Sequence, residues 1–212
     1  MMKRIIFITE NVNKFTELQN YLQNNYSARA ESCKVSLEMI KPETEINEIQ
    51  SLNKEEIVMH KLYDAFTTCQ QLFTVNQKTE DEIWILVEDT SLCISKLGGF
   101  PGPFVKFFLQ SIPLENIGHN NWGSEAQSFV NLAIGRVMNN ENGQSGLSIA
   151  KNFNGVINGY IVDSRGTNGF GFDPIFRPVN SDKTNAEMRM DEKANYNPRI
   201  LAFQKVLDYL QC

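Results

Sequence analysis

The chain is poor in histidine, in paired cysteines, in positive charge and in long apolar runs, and each shortage argues against a class of protein. Its two histidines, His60 and His119, do not adjoin a serine or cysteine, which argues against a Ser-His or Cys-His mechanism. The four cysteines form no C-x-x-C pair, so we expect reduced thiols and neither a zinc site nor a disulfide framework. A net charge of −5 argues against broad binding to nucleic acid.

No apolar run approaches the roughly 18 residues that span a bilayer. The opening "MMKRIIFITEN" turns polar too early for a secretory signal. We therefore expect a soluble, cytoplasmic protein without membrane contact.

The 212 residues, 42% of them hydrophobic, suffice for one core, and we expect a single domain over residues 1–212. "RIIFIT" predicts a strand, and Asn11 or Asn13 is the expected cap of the helix that follows. A second helix is predicted over residues 54–73, and antiparallel strands over 128–162, with the Asn-Gly pairs marking turns or bulges. With a last helix in "PRILAFQKVLDYL", the pattern predicts a mixed α/β fold.

The stretch "WILVEDTSLC" sets two adjacent carboxylates, Glu88 and Asp89, at the end of a predicted apolar strand over residues 84–87. A further acidic segment, "KPETEINEIQ", carries Glu43, Glu45 and Glu48. One acid from each segment would suffice for Mg²⁺, which takes oxygen ligands and commonly uses one or two carboxylates plus substrate phosphates. The alternative is that these acids are solvated surface residues.

Four lysines adjoin predicted helices: Lys14, Lys61, Lys106 and Lys193. If they converge on one pocket, their charges match a triphosphate, whose negative charge must be neutralised before water can attack. The alternative is that each lysine is exposed, with its stem along the surface.

The stretch "NGFGFDPIF", residues 168–176, combines glycines that let a backbone approach a ligand with two aromatic rings and a carboxylate. Phe170 and Phe172 could stack on a base, and Asp173 could accept hydrogen bonds from N–H groups. The alternative is an aromatic loop anchored in the core.

Taken in order along almost the whole chain, the segments resemble the inosine triphosphate pyrophosphatase family (Ham1-type non-canonical purine nucleoside triphosphate pyrophosphatases), with the "VEDT" form similar to eukaryotic members. The stretches that carry the resemblance are "FITENVNK", "NEIQ", "VEDTSLCISKLGGFPGPFVKFFL", "GFGFDPIF" and "TNAEMRMDEK". The resemblance implies an elongated α/β protein with a long mixed central sheet flanked by helices, two lobes with a substrate cleft between them, and a homodimer.

The family activity implied is hydrolysis of ITP, dITP or XTP between the α- and β-phosphates, giving the monophosphate and pyrophosphate with Mg²⁺, for which Mn²⁺ could substitute. By resemblance, Asp89 is a metal-linked carboxylate and the general base, Glu88 supports it, and Glu48 is the second metal ligand, with Glu43 and Glu45 as fallback candidates. The resemblance makes Lys14 catalytic as well as substrate-binding, and the implied substrate contacts are Thr9, Asn11, Lys14, Lys61, Thr90, Lys106, Phe170, Gly171, Phe172, Asp173, Lys193 and Arg199.

Two departures from the family pattern bear on activity. Glu10 stands where the family has Gly or Ser, and a negative charge there weakens anion binding unless it points away. Asn197-Pro198-Arg199 stands where the family typically has Ser-His-Arg, and Pro198 supplies no donor to the base. We therefore expect reduced or redirected base selectivity. Two alternatives stay open: a nucleotide-binding or interaction module with impaired catalysis, and a pyrophosphatase for other modified nucleotides.

Overall fold

A computed structural model describes residues 2–26, 34–73, 81–139 and 145–212. Within these residues the strands are β1 (Met2–Ile8), β2 (Lys34–Ile40), β3 (Glu82–Ile94), β4 (Pro101–Gly102), β5 (Glu125–Asn139), β6 (Ser145–Ile161) and β7 (Phe176–Pro178). The α-helices are α1 (Val12–Tyr26), α2 (Lys54–Cys69), α3 (Val105–Ser111), α4 (Leu114–Asn120), α5 (Met190–Lys193) and α6 (Pro198–Tyr209).

The strands form one mixed sheet in the order β2-β1-β3-β5-β6-β7, and β4 pairs with β3 outside that path. β1 is parallel to both β2 and β3, whereas β3–β4 and β6–β7 are antiparallel. The predicted mixed α/β fold is therefore confirmed.

Two compact units are assembled from interleaved segments of the chain. Unit 1 comprises residues 1–89, 131–153 and 202–212, and unit 2 comprises residues 90–130 and 154–201. The prediction of a single domain over residues 1–212 stays a prediction.

The core of unit 1 lies where α2 packs on the sheet. Residues 5–8 of β1 form an unbroken buried run, as expected of a strand with parallel neighbours on both sides. α2 contributes Val58, Leu62 and Ala65, all fully buried, to the same cluster as Ile85 and Val87 of β3. This core fixes β3, and with it the strand positions that carry the two adjacent carboxylates.

Unit 2 has a core of its own, built around the aromatic segment after residue 168. Its buried members are Leu92, Ile94, Val105, Ile117, Ala126, Ile161, Phe172, Ile175 and Phe176. The rings of Phe172 and Phe176 meet edge to face with centroids 6.1 Å apart. The "GFGFDPIF" segment is thus anchored by its apolar residues.

Several boundaries differ from the sequence predictions. β3 does not end before Glu88 but continues through Asp89 to Ile94, so the carboxylates lie inside a strand. β6 runs unbroken over both of its Asn-Gly pairs, which therefore mark no turns. The α-helical part of the segment predicted over residues 54–73 ends at Cys69, and a 3-10 turn completes it to Phe73.

The cysteines depart from the prediction of reduced thiols. Cys69 and Cys93 are free, but Cys212 is disulfide-bonded, so that prediction is wrong at Cys212. Cys33 lies outside the described residues, as do residues 140–144 of the turn predicted in "NNENGQ". Of the described helices, none combines the length and apolar character that a membrane span requires.

Candidate functional site

The two adjacent carboxylates of β3 are both buried, although each is charged in its ordinary state. Glu88 is 2% exposed and Asp89 is 7% exposed. Burying a carboxylate is costly unless opposite charge or hydrogen bonds compensate it. The residues around them in unit 1 (Lys14, Glu48 and Lys61) complete what we call the Asp89 cluster.

Lys14 reaches this cluster from the first turn of α1. Asn11 caps the helix, because its Oδ1 accepts hydrogen bonds from the backbone N–H groups of Asn13 (3.0 Å) and Lys14 (3.3 Å). The hydroxyl of Thr9 accepts from the N–H of Asn11 at 3.1 Å, which fixes the turn between β1 and α1. The Nζ of Lys14 lies 3.0 Å from Oε1 of Glu88, so the lysine compensates a buried charge.

Lys61 reaches the cluster from α2, whose start is fixed by Asn53. The Oδ1 of Asn53 accepts from the backbone N–H groups of Glu55 and Glu56, a standard helix N-cap. The ammonium of Lys61 donates to Oε1 of Glu48. Glu48 therefore lies within reach of α2, although its side chain is 41% exposed.

Electrostatics distinguish Asp89 from its neighbours. Burial raises the pKa of Asp89 to about 7; the charges of Lys61 and Lys14 oppose that rise, and those of Glu48 and Glu88 add to it. A carboxylate whose pKa lies near neutrality suits a general base, because it is both ionised and basic enough to take a proton. Among the loop acids, Glu48 is the one whose charge acts on this pKa, which supports its choice over Glu43 and Glu45.

The donors in the Asp89 cluster suit a hard divalent cation. Carboxylate oxygens are the ligands that Mg²⁺ prefers, and it commonly keeps several waters and substrate phosphates as its remaining ligands. Over the described residues, no three His, Cys, Asp or Glu side chains are grouped as a closed metal site. Asp89 and Glu48 each offer the carboxylate oxygens that such a cation takes.

Unit 2 holds a second polar group, which we call the Asp173 cluster: Phe170, Asp173, Asn185, Lys193 and Arg199. Oδ2 of Asp173 accepts from the backbone N–H of Phe170 and from Nζ of Lys193, both at 2.8 Å. Gly169 has φ +82°, and a Cβ at this position would lie 2.3 Å from that same oxygen. The glycine is required here because any side chain would displace the carboxylate.

Two cations lie near the ring of Phe170. The Nζ of Lys193 is 5.0 Å and the guanidinium carbon of Arg199 is 5.6 Å from its centroid. Both distances are within the range of cation–π attraction, and Phe170 itself is half-buried. Phe172, predicted as a second stacking face, is 8% exposed and belongs to the unit 2 core.

Arg199 lies at the start of α6, where Pro198 occupies the first helical position. Oδ1 of Asn197 accepts from the N–H of Arg199 at 2.9 Å, and its backbone carbonyl accepts from Leu201 at 3.2 Å. Asn197 is therefore the N-cap. Proline suits the next position, since an N–H there has no partner within the helix. The Asn-Pro-Arg sequence thus builds a well-formed helix start and buries Arg199, which is 4% exposed.

The other residues predicted for substrate contact have varied positions. Lys106 is exposed in the first turn of α3, and Thr90 follows Asp89 in β3 and is half-buried. Gly171 has φ +63°, and the nearest atom to a Cβ there would be 4.0 Å away. Glu10 is exposed at the bend before Asn11. The convergence of all four lysines on one pocket stays a prediction.

Asn185 is a member of the Asp173 cluster that sequence reasoning missed. It is 2% exposed, and its Nδ2 donates to Oδ1 of Asp173 at 3.4 Å. Its only signal in the sequence is a polar residue inside "TNAEM", where nothing distinguishes it from a surface asparagine. The contact becomes visible only once the fold places Asn185 beside Asp173.

Comparisons with known proteins agree with this architecture. Residues 5–209 match the model of the Ham1 family. An inosine triphosphate pyrophosphatase of Candida glabrata is 32% identical over 97% of this chain and 96% of its own length. A dITP/XTP pyrophosphatase of Saccharolobus solfataricus is 31% identical over 98% of this chain and 94% of its own. The solved structure of a HAM1 protein from Coxiella burnetii has the same fold, with a TM-score of 0.65, 22% identity, and coverage of 100% and 99%.

Proposed function

Because the chain belongs to the Ham1 family, we propose that it is a pyrophosphatase of non-canonical purine nucleoside triphosphates that cleaves ITP, dITP and XTP to the monophosphate and pyrophosphate. The relatives named for these substrates support the proposal. The observation that carries it in this chain is Asp89, a buried carboxylate with a pKa of about 7 beside two lysines.

In the proposed reaction, the oxygen of a water molecule bonds to the α-phosphorus as the bond from that phosphorus to the bridging oxygen of the β-phosphate breaks. Asp89 takes a proton from the water, and pyrophosphate leaves with the electron pair of the broken bond. Lys14 and Lys61 neutralise negative charge on the phosphates. No covalent intermediate is needed.

We also propose that the enzyme depends on Mg²⁺, with Mn²⁺ as a substitute, held by Asp89 and Glu48. Bound there, the cation would polarise phosphate oxygens and lower the pKa of a bound water. Both acids carry the donor chemistry that such a cation requires, and Glu48 is exposed enough to exchange its contact with Lys61. The Glu88 carboxylate, already held by Lys14, supports the site from the buried side.

Four residues of the Asp173 cluster are proposed to bind the nucleoside: Phe170, Asp173, Lys193 and Arg199. Phe170 offers a half-buried ring for stacking, and Arg199 is the donor that Asn197-Pro198-Arg199 retains for the base. Since Pro198 has no N–H and no polar side chain, we propose that selectivity for hypoxanthine and xanthine over adenine and guanine is reduced. One missing donor is worth about 1–3 kcal/mol, or roughly tenfold to a few hundredfold in discrimination.

Pyrophosphate release from ITP, XTP, dITP, ATP, GTP, CTP and UTP, with and without Mg²⁺, tests the proposal. The matched variants are Asp89→Asn and Asp208→Asn, the second on the exposed side of α6. We expect hydrolysis of the inosine and xanthosine nucleotides that Asp89→Asn abolishes and Asp208→Asn leaves intact. A preference for ITP over ATP and GTP above several hundredfold would contradict reduced selectivity.

Two other outcomes would support the alternatives. Nucleotide binding without pyrophosphate release from any member of the panel would indicate a binding module. Activity confined to the pyrimidine nucleotides would indicate a pyrophosphatase for other modified nucleotides. The homodimer and the cytoplasmic location stay predictions. Multi-angle light scattering, which measures the mass of the particle in solution, tests the first, and imaging of a tagged chain in cells tests the second.

A further inference from the structure

Asn185 has an unusual environment for a buried amide. It is 2% exposed, yet within the described part of the chain its carbonyl oxygen Oδ1 has no hydrogen-bond partner. Leaving a buried acceptor unpaired costs stability, and most buried polar groups in folded proteins are paired. The stability of the fold therefore does not explain an asparagine here, and such local violations concentrate at functional positions.

A hydrogen bond connects this side chain to Asp173. Nδ2 of Asn185 donates to Oδ1 of Asp173 at 3.4 Å, while Oδ2 accepts from Phe170 N and from Lys193 Nζ. The two oxygens of the carboxylate thus have separate tasks. Asn185 occupies the oxygen that faces away from the lysine, which limits rotation of the carboxylate about its Cβ–Cγ bond.

The segment that carries Asn185 is itself firmly fixed. A capping box joins Thr184 and Glu187, and the Thr184 hydroxyl donates to the carbonyl of Arg165 at 2.8 Å. The N–H of Asn168 donates to the carbonyl of Ala186 at 2.9 Å. These bonds hold residues 184–188 against residues 165–168, so the amide of Asn185 is presented to Asp173 from a rigid backbone.

We propose that Asn185 is a positioning residue for nucleoside binding. It holds the Asp173 carboxylate in the orientation that keeps Lys193 and the Phe170 backbone in place, and it contributes little to stability. The inference rests on the proposed function, in which Phe170, Asp173 and Lys193 contact the nucleoside. It adds a residue that acts on the substrate only through Asp173.

Asn185→Leu tests this role, because leucine has a similar volume but cannot donate. The substitution removes one unpaired oxygen and leaves Oδ1 of Asp173 without its donor, so we expect Tm to stay within about 4 °C of wild type. We expect KM for ITP to rise about tenfold, the scale of one lost hydrogen bond to a charged group, with kcat changed much less. Asn158→Leu, which removes an exposed amide–amide bond in the same unit, should change neither constant.

Asn185→Asp is the second variant and keeps the shape of the side chain. At low pH a proton shared by the two carboxyl groups replaces the lost N–H, and at higher pH the two negative charges repel despite the neighbouring Lys193 and Arg199. We expect the ratio of KM in this variant to KM in wild type at the same pH to be close to one near pH 5 and to rise with pH. An unchanged KM in both variants, or a loss of Tm in proportion to the loss of activity, would overturn the proposal.

A readout without nucleotide separates this inference from the proposed function. The rate at which an amine-acylating reagent modifies Lys193, followed by mass spectrometry, should rise in Asn185→Leu and stay constant in Asn158→Leu. If wild type hydrolyses none of the nucleotides, the proposed function fails, and the acylation rate still decides whether Asn185 positions the Asp173–Lys193 pair. Equal acylation rates in wild type and Asn185→Leu would contradict the positioning role.

Discussion

The Nζ of Lys14 lies 3.0 Å from Oε1 of Glu88, and only 1% of the Glu88 side chain is exposed. The ion pair between Lys14 and Glu88 is therefore formed in the folded protein without any bound phosphate. Removing it leaves a buried carboxylate without its cation, which is more damaging than losing a surface charge. The lysine proposed to bind phosphate has a structural task as well.

Lys14→Met should accordingly destabilise the protein by about 3–5 kcal/mol, the range for breaking a buried pair on one side. Adding Glu88→Gln should recover part of the loss, because the buried negative charge that Lys14 compensated is gone. Urea denaturation measures both. Lys183→Met is the control, since its pair with Glu192 is 52% and 38% exposed and should be worth at most about 1 kcal/mol. Equal losses in the two lysine variants would contradict the buried-pair argument.

The raised pKa of Asp89 predicts a pH dependence of stability in metal-free protein. Since its pKa of about 7 in the folded protein exceeds the ordinary aspartate value of 3.8, folding takes up a proton between those two pH values. Stability contributed by Asp89 therefore falls as pH rises through this window and is constant above it. Asp89→Asn should be closest to wild type near pH 4 and more stable than wild type above pH 7.

Urea denaturation in a chelator at several pH values checks this prediction. The Asp208→Asn variant supplies the matched control, with an exposed aspartate on α6. Curves for Asp89→Asn and wild type that stay parallel from pH 4 to pH 8 would show that Asp89 ionises without cost in the fold. A catalytic loss in Asp89→Asn together with gained stability would be the pattern expected of a residue kept for chemistry.

Substitutions at Pro198 are expected to change base selectivity. Pro198→His restores a donor next to Arg199, so the ratio of kcat/KM for ITP to that for ATP should rise about tenfold. Pro198→Ala, which adds no donor, should leave the ratio unchanged and lower stability by about 0.4–1 kcal/mol through the freer unfolded chain. Competition kinetics with both nucleotides measures the ratio. The same ratio in Pro198→His and Pro198→Ala would contradict a selectivity role for this position.

Glu10 predicts a salt-dependent effect on nucleotide binding. It is exposed at the bend before Asn11, in the turn that the resemblance assigns to the triphosphate. Glu10→Gln should lower KM about twofold to fivefold at low ionic strength, and the gain should shrink near 1 M salt as screening shortens the range of the charge. Glu115→Gln, an exposed acid on α4, is the control. A KM that responds equally to both substitutions would show only a net-charge effect.

Much of the fold could be predicted because its signals are local. The cap at Asn11 and the helix over α2 follow from residues within a few positions of one another. The extent of β3 could not be predicted from the sequence, because the polar run from Glu88 to Ser91 resembles a turn. Lys14 of α1 and Lys61 of α2 bring positive charge to the buried carboxylates, and the position of both lysines beside β3 depends on tertiary packing.

In the candidate site, too, local sequence signals could be read, whereas contacts made by tertiary packing could not. Asp173 was identified because a carboxylate follows two glycines and two rings, but the rings could not be told apart. Packing then buried Phe172 and left Phe170 half-exposed. Asn185 could not be predicted at all, since its contact with Asp173 spans 12 positions and needs the fold to create it.

The helix start at Asn197 and Pro198 has a consequence for how the protein can evolve. Because Asn197 provides the cap and proline suits the first helical position, this segment meets the folding requirements of α6 by itself. By the loss expected for Pro198→Ala, a change at position 198 costs the fold at most about 1 kcal/mol. If this position reads the base as proposed, a change in one codon would alter the nucleotide preference of a lineage while the scaffold and the phosphate chemistry stay as they are.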